Sequence, residues 1–268
     1  MEITELVILI ASGVLVGFIN TLAGGGSVIS LSILIMLGLP ATVANGTNRV
    51  AIALQNVVAV SSFKQQKVLE WKKALRLSVP AILGSMVGAW IAVDINEEAM
   101  QRAIGVIMLV MLVIILFKPQ RFIYGNAKVQ EKPIRWYVYI IFFFIGIYAG
   151  FIHMGVGYFL LAGIVLGAGY DLVKSNAIKV LIILAYAPFT LAIFFFNQQI
   201  NWKYGLILAV GNMVGALIAS RMAVKKGVAF VRWVIVIVVL ITSAQLFGIY
   251  DFQALLSPYL VTVKDVHP

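Results

Sequence analysis

The sequence has no cysteine, only two histidines and only ten acidic residues among 268, and 11% of its residues are charged. The lack of cysteine excludes a disulfide framework, thiolate metal sites and thiol redox chemistry. The shortage of charge excludes more. A soluble domain carries about a quarter charged residues, whereas here 62% of the chain is apolar, too little polar surface for an ordinary water-soluble enzyme. No aspartate or glutamate falls deep inside the long apolar runs, so carboxylate proton relays and sodium cages are not evident. Paired metal ligands, a nucleophile beside a base and a phosphate-binding loop are missing too. The chain reads as a non-enzyme that calls for no metal and no cofactor.

Long hydrophobic runs take the place of these features. Residues 6–48 are uncharged throughout, enough for two crossings at roughly 20 residues each. Further uncharged runs cover 50–63, 77–93, 103–117, 136–170, 180–202, 204–220 and 233–250. This is the pattern of an all-α, polytopic integral membrane protein. The N-terminus carries Glu2 and Glu5 and no basic residue before the first run, the wrong sign for a cleavable signal peptide, so the first segment is expected to stay.

The net charge of +10 is concentrated in three connections: Lys64, Lys67, Lys72, Lys73 and Arg76; Lys118, Arg121, Lys128, Lys132 and Arg135; Arg221, Lys225, Lys226 and Arg232. Such clustering marks cytoplasmic loops and argues against nucleic acid as a partner; attraction to anionic lipid of the bilayer is a secondary reading. With those loops inside, both termini are expected outside. The expected organisation is a first transmembrane repeat (1–120), a basic cytoplasmic linker (121–133), a second repeat (134–250) and a C-terminal tail (251–268).

The two halves resemble each other. Gly17-Phe18-Ile19 recurs as Gly150-Phe151-Ile152, and Met86-Val87-Gly88-Ala89 recurs as Met213-Val214-Gly215-Ala216. Glu70-Trp71-Lys72 matches Asn201-Trp202-Lys203, yet the charge rule puts the first turn inside and the second outside. Five helical elements per half, ten in all, would invert the second copy, as in many secondary transporters. Each half opens on an interrupted segment: Gly24, Gly25, Gly26 and Ser27 precede a short apolar stretch ending at Gly38-Leu39-Pro40, and Gly155 and Gly157 break residues 136–169. Paired broken helices at corresponding positions point to a transport site. Backbone N–H groups at such glycines and at the following helix start favour anions, while close helix packing is the plainer reading.

Asn45, Gly46, Thr47, Asn48 and Arg49 form a second polar cluster, echoed by Asn176 and Lys179 in the second half. A cation inside an apolar segment is a functional candidate by default, although Arg49 and Lys179 can also reach opposite interfaces by snorkelling. Asn20 and His153 occupy matched positions, one turn before each break. His153 can bind an anion, carry a proton or bond a carbonyl across helices. Gln55 and Asn56 are expected to face the bundle interior.

The run Gly17-Phe18-Ile19-Asn20-Thr21-Leu22-Ala23-Gly24-Gly25-Gly26-Ser27, then Pro40 and Ala44-Asn45-Gly46-Thr47-Asn48, resembles the first repeat motif of the TauE/SafE sulfite exporter family. Residues 150–157 and 175–179 resemble its second copy. The resemblance implies a two-repeat permease of the bacterial inner membrane that moves small sulfur-containing or organic anions such as sulfite or sulfoacetate. On that reading Asn20, Gly24–Ser27, Asn45–Arg49, His153, Gly155, Gly157, Asn176 and Lys179 surround the substrate near midplane, and rocking of the halves alternates access. A passive anion channel and a membrane scaffold or assembly protein are the rival readings. Small-residue surfaces at Gly84, Gly88 and Gly215 suggest a homodimer.

Overall fold

A computed structural model describes residues 3–104, 106–107 and 134–246; the expected linker and C-terminal tail lie outside them. Among the described residues the chain is helical: α1 Ile3–Leu22, α2 Ser27–Met36, α3 Ala41–Gln65, α4 Trp71–Asp94, α5 Trp136–Phe151, α6 Val156–Ala168, α7 Leu172–Phe196 and α8 Trp202–Leu246. A further helical segment begins at 97, and α8 is interrupted at Gly227, whose φ of 72° is non-helical. With these two features counted, the described helical elements reach the expected ten. α1, α4, α7 and the Trp202–Val231 part of α8 are long and apolar enough to cross a membrane. α3 has the length but carries Asn45, Thr47, Asn48, Arg49, Gln55 and Asn56 in its buried surface.

Packing follows a pseudo-twofold scheme, with α1 lying along α8 and α4 along α5. Gly13 and Gly17 meet backbone of Leu208–Asn212, and Gly146 and Gly150 meet backbone of Ala81 and Ser85 in the same way. The partners are related by the spacings seen in the repeated peptides: Gly17 to Gly150, and Ser85 to Asn212. Outward-facing side chains obey the relation as well. Val79, Leu83, Val87 and Ile91 are exposed on α4, and Leu206, Val210, Val214 and Ile218 on α8. In a bilayer lipid tails are as apolar as these residues, so helices associate through close backbone approach.

That approach uses up the small-residue surfaces on which a homodimer was argued. A Cβ on Gly84, Gly88 or Gly215 would fall on Phe143 O, Ile147 O or Val14 O respectively, so these glycines are consumed within the protomer and carry no argument for a homodimer.

The repeats run in opposite directions. Leu9, Leu34, Leu39, Val93, Phe194 and Leu208 gather in one apolar cluster, so α1 and α2 form a hairpin that enters and leaves at the end of the molecule where α3 starts and α4 and α7 stop. Phe63, Ala74, Val138, Val165, Tyr170 and Leu172 belong to another cluster, so α5 and α6 form the matching hairpin from the opposite end. That second end carries Lys64, Lys72, Lys73 and Lys174, the last paired with Glu70 at 3.4 Å. The two hairpin tips meet in the interior: a Cβ built on Gly24 would lie 2.2 Å from Gly157 Cα.

Candidate functional site

Breaking a helix inside a membrane exposes carbonyls at one side of the break and N–H groups at the other, with no water to satisfy them. The first break follows α1, where Gly24 takes a φ of 94°, and α2 then starts without a side-chain cap. The second follows α5, where Ile152 is extended and Gly155, left-handed at φ 69°, opens α6. Both glycines hold conformations that a Cβ would disfavour.

Each break is served by a cation from the other repeat. The Lys179 ammonium on α7 donates to Asn20 O and Thr21 O, both at 2.9 Å, and to Asn176 Oδ1 at 2.7 Å. The Arg49 guanidinium on α3 donates through Nη1 to Ala149 O at 3.1 Å and through Nη2 to Gly150 O at 2.5 Å. It also stands 4.5 Å from the Phe194 ring centroid. Lys179 is 0% and Arg49 2% exposed. Both alternatives drawn from snorkelling are therefore corrected: neither cation reaches an interface, because the orphaned carbonyls of the facing break are nearer partners and carry the negative end of a helix dipole.

The remaining candidates divide by helical geometry. Asn45, Asn48 and Arg49 share one face of α3 at the i, i+3, i+4 spacing. Asn45 Nδ2 donates to Phe151 O at 2.8 Å, and Asn48 Oδ1 accepts from the Ser30 hydroxyl at 2.7 Å. Gly46 and Thr47 point elsewhere. A Cβ on Gly46 would lie 2.0 Å from Gln199 O, and Thr47 Oγ1 accepts from Asn201 N at 2.9 Å, so these two pack the turn before α8 and leave the break. Asn20 Nδ2 donates to Ser27 Oγ at 3.3 Å, tying α1 to α2. Gly25 lies against the Tyr158 ring, Gly26 against Val16 O, and Gly157 lies inside α6 against Gly24. Gly157 therefore serves packing and does not form the break itself. Gln55 and Asn56 are buried, Gln55 against Asn212.

His153 lies in the second break, 5% exposed, with Nδ1 3.0 Å from the Tyr186 hydroxyl on α7. Arg49 and Lys179 are both within electrostatic reach of it. Tyr148 donates to Met154 O at 2.5 Å and holds the same loop. Ser30, Tyr186, Phe194 and Tyr158 are additions that sequence reasoning missed. Tyr158 adjoins Gly157 and had a local signal; Tyr186 is 33 residues from His153 and had none.

Several buried polar atoms here have no partner among the described residues, among them Asn48 Nδ2, Arg49 Nε, Asn176 Nδ2 and the Tyr158 hydroxyl. A separate apolar cavity of about 390 Å³ between α5 and α6, lined by residues such as Ile141, Phe159 and Gly163, includes none of the candidate residues.

The chain resembles known proteins along nearly its whole length. It is 25% identical over 246 residues to a probable membrane transporter protein of Haemophilus influenzae, covering 92% of this chain and 95% of that one. It is 26% identical over 238 residues to the probable membrane transporter protein YfcA of Escherichia coli K12, covering 88% and 87%. A probable membrane transporter protein of Sinorhizobium, ORF9, is 24% identical over 243 residues. The family model described as sulfite exporter TauE/SafE matches residues 9–246. Two inverted, broken repeats joined at a buried polar centre and this match together place the chain in the TauE/SafE sulfite exporter family of membrane transporters.

Proposed function

We propose that the protein exports small sulfur-containing or organic anions, such as sulfite or sulfoacetate, across the bacterial inner membrane by alternating access at the meeting point of the two breaks. The observation that carries this reading is the pair of buried cations, Arg49 and Lys179, held at facing helix breaks among donors that lack acceptors among the described residues. An oxyanion offers the acceptor oxygens those groups lack. The basic end is the cytoplasmic end in this reading, in line with the positive-inside rule, and both termini lie outside. Export then needs no coupling ion, because an inside-negative potential drives an anion outward by about 2.3 kcal/mol per charge per 100 mV.

Pseudo-symmetry supports the alternating part of the mechanism. Two repeats of the same fold and opposite direction can exchange conformations, so that the gap opening at one end in one state opens at the other end in the next. Asn45 and Asn48 would move with α3 while Asn176 and Lys179 move with α7, all converging on the substrate between them.

The test is flux of sulfite, sulfoacetate, thiosulfate and sulfate in proteoliposomes with an imposed potential. Saturable, potential-driven movement that disappears in Arg49→Ala and falls in Asn45→Ala supports the exporter. Unsaturable current favours a channel, and normal flux in both correctly inserted variants removes these residues from the site.

A further inference from the structure

We infer that the site takes a doubly charged anion in preference to a singly charged one. The inference rests on the transport reading above and adds the charge class of the substrate. It follows from the fixed charges that meet at the breaks. Arg49 and Lys179 bring two positive charges, and among the described residues their hydrogen-bond acceptors are carbonyl and amide oxygens with no carboxylate. The described carboxylates, Glu5, Glu70, Asp94, Glu97, Glu98 and Asp171, sit at helix ends or in connections.

Helix dipoles do not change the sum. The carboxyl ends of α1 and α5, on which the cations rest, contribute about half a negative charge each. The amino ends of α2 and α6 meet at the same place, where Gly24 touches Gly157, and contribute about half a positive charge each. These four partial charges cancel, leaving roughly the two units of the side chains. Buried charge without a counter-charge is costly, and a dianion removes both units where a monoanion leaves one.

The orphaned donors point to the same ligand. Asn48 Nδ2 and Arg49 Nε on α3, Asn176 Nδ2 on α7 and the Tyr158 hydroxyl on α6 are buried without acceptors among the described residues. They come from both repeats, and a ligand with several oxygens spread over its surface would serve them, with Asn45 Oδ1 left as an acceptor beside them. His153, with Nδ1 3.0 Å from the Tyr186 hydroxyl, supplies a further polar group at the same place.

The experiment compares matched pairs on the full-length protein in proteoliposomes: sulfate against methyl sulfate, and sulfoacetate against its methyl ester. Inhibition of sulfite flux and direct flux of each anion are measured at a pH where the first member of each pair is a dianion. The expected result is at least tenfold stronger inhibition by the dianion of each pair, with the ratio falling toward one in Lys179→Gln and persisting in Lys179→Arg. Equal potency within both pairs in the unsubstituted protein overturns the inference and leaves anion transport standing. If no member of either pair binds or moves, and sulfite does not move either, the transport reading fails together with it. Should Lys179→Gln not insert as folded protein, the matched pairs alone decide.

Discussion

The two repeats solve one physical problem by different means, and the places where they differ are the informative ones. Both must start a long helix, α3 or α7, immediately after a re-entrant hairpin. α7 does this locally: Asp171 Oδ1 accepts from Val173 N at 2.8 Å and Lys174 N at 2.9 Å. α3 begins after Pro40, which has no side-chain acceptor, and takes its cap from a distance. Glu97 accepts from Ala41 N at 2.5 Å and from Thr42 N at 3.1 Å. The breaks differ likewise. Arg49 serves α5 with a two-pronged fork, whereas Lys179, placed one position earlier in the matched helix, serves α1 as a point charge and recruits Asn176. Symmetry of backbone is thus kept while the side-chain chemistry diverges.

The largest expected effect tests the junction that the repeats share. Gly24→Val and Gly157→Val each drive side-chain atoms into backbone of the other hairpin, where even a Cβ would be 2.2 or 2.3 Å away. Neither should give monodisperse protein on size-exclusion chromatography in detergent. Recovery of well-folded Gly24→Val would mean that the hairpin tips are not locked together.

The two cations come next. Arg49→Met orphans two carbonyls and Lys179→Met orphans two carbonyls and an amide oxygen, and each unsatisfied buried group costs about 1–3 kcal/mol. Both should lose more than tenfold in flux, with the lower melting temperature in Lys179→Met. Equal melting temperatures would show that acceptor number is not what separates the two sites.

The caps should cost less. Glu97→Ala and Asp171→Ala are each expected to destabilise by about 1 kcal/mol, the usual loss on removing a helix cap. Glu97 adds a pH signature. Partial burial acts to raise the Glu97 carboxyl, but the N–H groups of Ala41 and Thr42, helped by Gln101 and the Thr42 hydroxyl, outweigh it and hold the group below its usual range. A depressed pKa gives stability that is present above the unfolded value, about 4.3, and is lost as pH falls through the folded one. Acid titration of melting temperature should show a shallower decline below about pH 4.5 in Glu97→Gln than in the unsubstituted protein. An unchanged acid limb would remove Glu97 from the cap.

The smallest effect is expected from Tyr186→Phe, which leaves His153 Nδ1 without its partner at a cost of about 1 kcal/mol. A melting-temperature loss as large as that of Lys179→Met would instead make the Tyr186 and His153 pair a main support of the second break.

Much of the fold was legible because apolar periodicity and charge placement act locally. The broken segments, the repeated peptides and the opposite orientation of the halves all came from residues next to one another in the chain. Asp171 as a cap is equally local. Glu97 was not legible, because the acceptor and the N–H groups it serves are 56 and 55 residues apart. The glycines of the first motif invited an anion-binding reading, yet Gly24 and Gly26 are fixed by backbone contacts that only the facing hairpin and α1 supply. Gly46 and Thr47 were grouped with Asn45 by adjacency, and the 3.6-residue turn of the helix separated them.

The sequence by itself determined that the chain lives in a membrane, that it is built twice with opposite direction, and that each copy is interrupted by glycine. These follow from composition and order, which every segment carries whatever its neighbours are. Tertiary structure alone decided where the buried cations point. A lone lysine or arginine in an apolar helix has no preferred partner until another element brings one within reach, and here that partner is the open end of a broken helix from the other repeat.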